Sequence, residues 1–115
     1  MEKTVLAFER SPLARNVYNM ILSKLCETHV EMIDNAASYD MANIDANLVI
    51  FGLAQHDKKT EIIKYLKKIP SPVIIFIKTG MMQDWRDLET DTIKVLERPF
   101  YPDDFLKTVR KLWEM

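Results

Sequence analysis

The chain has 115 residues, of which 48% are hydrophobic and 29% charged, the proportions of one folded domain with a buried core rather than of a disordered segment. Sixteen basic against seventeen acidic residues leave a net charge of -1, which excludes a general electrostatic pull toward nucleic acid or an anionic membrane. The longest apolar runs, LVIFGLA and PVIIFI, are far shorter than a membrane span, and TVLAF near the start is shorter than the core of a secretion signal.

Apolar runs of strand length alternate with segments of helical period. TVLAF is the first strand. SPLARNVYNMILSKL follows with Ala14, Val17, Ile21 and Leu25 on one helical face, Ser11 as cap and Pro12 at the first helical position. HVEMI is a second, less apolar strand suited to a sheet edge, and NAASYDMANI a short, weak helix. NLVIF is a continuous apolar run of the kind buried on both faces of a parallel sheet. After the loop GLAQHDKK, TEIIKYLKKI places Ile62, Leu66 and Ile69 on an inner stripe, and Pro70 stops the helix. PVIIFI is the fourth strand. Gly80 relieves the next turn, and MMQDWRDLE forms a short fourth helix. IKVL is the fifth strand, closing at Leu96. Pro102 then starts a fifth helix with Asp103 and Asp104 at its positive end, Arg110 and Lys111 at its negative end, and Phe105, Val109 and Leu112 inward.

Five strand–helix units with short connections predict right-handed crossovers and an α/β, doubly wound parallel sheet of order 2-1-3-4-5, covered on both faces by helices. Residues 1–115 form one domain in this reading. No internal repeat or linker interrupts it. The ligand crevice of such a sheet lies at the carboxyl ends of strands 1 and 3.

VLAFERSPLAR, NLVIFGL, PVIIFIK and LERPFYPDDFL resemble, in order and spacing, the strand-and-turn segments of response-regulator receiver domains of the chemotaxis type, a flavodoxin-like three-layer fold. The resemblance spans essentially the whole chain. It implies a bacterial two-component signalling context and maps an acidic metal-binding pair onto Glu9 and Arg10 and the phosphoacceptor aspartate onto Gly52. It also puts the strand 4 hydroxyl on Ile77, the phosphate-neutralising lysine on Arg98 and the strand 5 switch aromatic on Val95. A cis Arg98–Pro99 bond is implied too. Only Glu9 and Arg98 keep the family's charge sign.

Gly52 has no nucleophile to accept a phosphoryl group. Arg10 puts a fixed positive charge where a carboxylate should hold Mg²⁺, so binding of that ion is expected to be weak or absent, and no other cofactor is expected. Two arrangements of the charges fit: a self-satisfied Glu9–Arg98 pair, or an anion site formed by the arginines. Asp57 and Asp34 lie near the crevice rim without occupying the acceptor position, and capping or solvated roles are the ordinary ones for both.

Other chemistry finds little support. His29 and His56 lack partners at zinc-ligand spacing. Two glycines, Gly52 and Gly80, build no phosphate-cradling loop, and the lysine pairs 58–59 and 67–68 lack interleaved aromatics. Cys26, the single cysteine, reads as a small buried hydrophobe and agrees with a reducing compartment. The expected location is the cytoplasm. Aromatic residues concentrate late, and Trp85, Arg86, Tyr101 and Trp113 are candidate anchors of a protein interface on the face of the fourth helix, fifth strand and fifth helix.

The sequence therefore predicts a non-enzymatic, phosphorylation-independent receiver-like module that binds a protein partner or a second copy through that face, with no nucleic acid and no membrane. Two alternatives stay open: a flavodoxin-like domain binding a small anion or nucleotide in the crevice, and a receiver switched through an unconventional carboxylate.

Overall fold

The computed structural model describes residues 2–54 and 57–114. Five strands, β1 (Lys3–Phe8), β2 (Thr28–Ile33), β3 (Leu48–Gly52), β4 (Val73–Lys78) and β5 (Ile93–Arg98), form one sheet. Its order is β2-β1-β3-β4-β5 and all four pairings are parallel, as the alternation of elements predicts. The central strands are nearly continuous apolar runs because helices cover both faces of the sheet.

Side chains alternate across the sheet with period two and so divide into two cores. Val5, Ala7, Ile50, Ile74 and Phe76 meet α1 (Pro12–Leu22) and α4 (Pro102–Trp113) on one face. Leu6, Phe8, Phe51, Ile75 and Ile77 meet α2 (Lys59–Lys68) and α3 (Met82–Trp85) on the other. Aromatic rings dominate the first core: Phe76 stacks on Tyr18 at 5.7 Å and on Phe100 at 4.7 Å, and meets Phe105 edge-on at 5.4 Å.

Four details differ from the sequence reading. The second helix is absent among the described residues; two 3₁₀ turns, Ala36–Ser38 and Met41–Asn43, take its place. Asn35 accepts from the Ala37 N–H at 3.1 Å and the Ser38 hydroxyl donates to the Asn35 carbonyl at 3.0 Å, so short polar side chains capture backbone groups that a helix would use. Met41 and Ile44 are still buried beneath the turns. In α1 the inner face is Ala14, Tyr18, Ile21 and Leu22, continued by Leu25 in the following turn, leaving Val17 38% exposed. The helix is rolled toward Tyr18, whose ring fits between Phe76 and Phe105. Thirdly, β5 does not close at Leu96 but pairs with β4 as far as Arg98.

The fourth difference is Trp85. Only 4% of it is exposed, and it packs with Ile77 and Val95 in the second core. It is a core residue, not a surface anchor, because the short α3 lays its one large aromatic directly on the sheet.

Two smaller expectations are met only in part: Ser11 stands at the N-cap of α1 without a side-chain capping bond, and Cys26 is half-buried rather than buried. Other local expectations hold. Pro12 and Pro102 occupy the first turns of α1 and α4, and Ile62 with Leu66 and Ile69 faces the sheet from α2. Gly80 has φ +90°, a left-handed value that relieves the turn after β4. The Arg98–Pro99 bond is cis.

Candidate functional site

Parallel register sets the site. Phe8 sits opposite Phe51 and one step before Glu9, so Glu9 and Gly52 emerge together at the carboxyl ends of β1 and β3. Across β4, Arg98 ends β5 opposite Lys78. Its long side chain reaches back over the Phe76 ring, with the guanidinium carbon 5.0 Å from the ring centroid.

Glu9 is 6% exposed, the one charged residue among the buried described ones. Its carboxylate collects four donors. Arg98 Nη2 donates to Oε2 in a short contact and Nη1 to Oε1 at 3.4 Å. The Tyr18 hydroxyl donates to Oε2 at 3.1 Å, and the Ser11 backbone N–H reaches Oε1 at 3.4 Å. Arg98 Nη2 also donates to the Tyr18 oxygen, so the three side chains close a ring of hydrogen bonds.

Electrostatics follow from this geometry. Burial by itself would raise the Glu9 pKa, but the Arg98 hydrogen bond and charge, with help from Tyr18 and Ser11, outweigh it and hold the carboxyl below its ordinary 4.5. For Tyr18, burial first and then the Glu9 charge and hydrogen bond outweigh the opposing Arg98 charge and push its hydroxyl well above the ordinary 10.0, so it stays a proton donor. Arg98 loses something to burial and gains more from Glu9 and Tyr18, which raise its pKa.

Gly52 is the most informative position. A Cβ placed on it would lie 1.6 Å from Glu9 Oε2, 2.4 Å from Glu9 Cδ and 2.9 Å from Arg98 Nη2. The Glu9 carboxylate thus occupies the volume that any side chain at position 52 would need. The glycine and the ion pair require each other.

The remaining predicted residues distribute as follows. Arg10 is exposed and lines the crevice rim beside Asp34. Asp57 also lines the crevice, its Oδ2 accepting from the Ala54 N–H at 2.6 Å, an ordinary turn contact. Ile77 and Val95 are 1% and 3% exposed, held in apolar packing in the same core as Trp85. The crevice holds about 110 Å³, small beside the roughly 300–1,000 Å³ of typical small-molecule sites. Arg86 and Tyr101 are exposed. Trp113 lies at the opposite end of the sheet, where its indole N–H donates to the Asn47 carbonyl at 2.8 Å and Lys3 Nζ sits 5.1 Å from its ring.

Tyr18 was missed in the sequence reading. Its signal was present, since a tyrosine on the inward side of a helix brings a hydroxyl that must find a partner. Among the described residues no group of three or more His, Cys, Asp or Glu gathers at metal-binding distance, and His56 lies outside the described residues. No described helix is long and apolar enough to cross a membrane.

No protein-family model and no curated protein matches the chain. Solved structures do. The receiver domain of a signal transduction histidine kinase from Syntrophus aciditrophicus superposes with a TM-score of 0.71 at 21% identity, over 98% of this chain and 92% of that one. The receiver domain of a sensor histidine kinase from Pseudomonas aeruginosa PAO1, with a magnesium ion coordinated in its active-site cleft, gives 0.73 at 12% identity over 100% of both chains. A protein described as adenylate cyclase from Rhodopirellula baltica gives 0.72 at 12% identity, over 99% of this chain and 90% of that one. The fold of the chain is that of response-regulator receiver domains.

Proposed function

We propose that this chain is a receiver-like interaction module in bacterial signal transduction that works without phosphorylation, without catalysis and in the cytoplasm. The single observation that carries the reading is the Glu9 carboxylate lying where a side chain at position 52 would stand, pinned there by Arg98 and Tyr18. A phosphoacceptor aspartate needs that space and a free arginine or lysine to neutralise the phosphate. Here the cation is already paired. The donor set does not suit Mg²⁺ either: both Glu9 oxygens accept from protein donors, Arg10 replaces the second carboxylate and Gly52 offers no side-chain oxygen.

With Trp85 buried, the exposed candidates for protein contact near β5 are Arg86 and Tyr101. Two measurements test the reading. Incubated with a small-molecule phosphodonor and Mg²⁺, the protein keeps its unmodified intact mass; a stoichiometric phosphoryl adduct would overturn phosphorylation independence. Affinity capture with wild-type and Arg86→Ala/Tyr101→Ala baits yields a partner that the variant loses, and identical captures remove this face from consideration.

A further inference from the structure

Four large apolar side chains stand out as exposed among the described residues: Leu13 at 72%, Val17 at 38%, Met20 at 64% and Tyr101 at 76%. Leu13, Val17 and Met20 are spaced four and three residues apart, so they form one ridge along α1. Beside the ridge runs an apolar groove of about 420 Å³, walled by Val17, Met20 and Ile21 on one side and by Phe100 and Pro102 on the other. Ridge and groove therefore share a wall. Lys24 sits at the α1 edge of the groove, while Asp103 and Asp104, both exposed, follow Pro102 at the α4 edge. Neither ion pair among the described residues uses any of these three charges.

We infer that this face is the interface of a two-fold homodimer in which the α1 ridge of each copy enters the groove of the other. Shape supports a second copy as the occupant, because a ridge flanked by its own matching groove is self-complementary under a two-fold axis. Charge supports it too. The charged residues within and just after α1, Arg15 and Lys24, are both basic, so packing α1 directly on its copy would set like charges together. Exchanging the two walls instead brings Lys24 against Asp103 and Asp104 of the second copy, twice per dimer. The surface excludes Arg86 but adjoins Tyr101, whose neighbours Phe100 and Pro102 wall the groove, and Arg98 reaches its lining while staying paired with Glu9.

Sedimentation velocity across micromolar to millimolar concentrations tests the assignment. Wild type dimerises reversibly, and Met20→Glu, a change at an exposed position that leaves the circular dichroism spectrum and melting temperature unaltered, remains monomeric. Lys24→Glu alone and Asp103→Lys/Asp104→Lys alone each dimerise at least about tenfold more weakly, because both contacts become repulsive. Mixing these two variants restores dimerisation to within about threefold of wild type, since every cross-contact is then between opposite charges. A wild type that stays monomeric at all concentrations overturns the proposal. So does a dimer that survives Met20→Glu, failure of the mixed variants to recover, or a monomer that instead seats an acidic amphipathic helical peptide in the groove.

Discussion

Glu9 and Gly52 are best understood as one unit. Because a Cβ at position 52 would overlap the Glu9 carboxylate, Gly52→Ala must expel that group from its Arg98 and Tyr18 contacts and should cost about 1–3 kcal/mol of stability. In a Glu9→Ala background the same change fills vacated space and should cost at least about 1 kcal/mol less, a coupling that a double-mutant cycle in urea would read directly. Additive costs would separate the two residues. The pH dependence has a definite sign. Since the folded-state pKa of Glu9 lies below its ordinary 4.5, its stabilisation is complete above that value and is lost as pH falls through the depressed one. Wild type should therefore exceed Glu9→Gln in urea midpoint at pH 7, and the gap should close in the acid range below 4.5; a gap that persists or widens there contradicts the pairing.

Among the helices that form, α3 and α1 turn unexpected faces to the sheet. The four-residue α3 places Trp85 inside the second core against Ile77 and Val95. Trp85→Ala should therefore cost about 3–5 kcal/mol, a large share of the roughly 5–15 kcal/mol that holds a domain together. A melting temperature within a degree or two of wild type would return Trp85 to the surface. For α1, two overlapping apolar stripes run along the helix, one through Tyr18 and one through Leu13, Val17 and Met20. Periodicity alone weights them by hydrophobicity and takes Val17 as inner. The tertiary environment favours Tyr18, because the sheet offers its ring an aromatic nest and its hydroxyl a carboxylate.

At the scale of the whole molecule, both helical layers pack on one sheet whose five strands are buried largely by each other and by those layers. Neither layer has a core without the sheet, so the chain should unfold in a single step. Far-UV circular dichroism and tryptophan fluorescence should give coincident urea transitions, the latter reporting Trp85 in one core and Trp113 against the other. Separated midpoints would divide the domain.

The alternation of apolar runs and helical periods was sufficient for the fold class, and the common doubly wound order, together with the resemblance to receiver domains, supplied the strand order. The sequence also carried the absence of a side chain at Gly52 and the positive charge at Arg98, which are matters of residue identity. The 3₁₀ turns at Ala36–Ser38 and Met41–Asn43 were half legible, for Asn35 and Ser38 announce backbone competition to a reader who weighs side-chain hydrogen bonds above apolar spacing. What only the tertiary structure decided is where side chains 89 residues apart converge. Glu9 follows the end of β1 and Arg98 ends β5, with two strands between them, and Tyr18 comes from a helix above. Their ring of hydrogen bonds, and the volume it takes from position 52, depend on register, helix roll and burial together, quantities that are set by packing across the whole sheet and by no local stretch of chain.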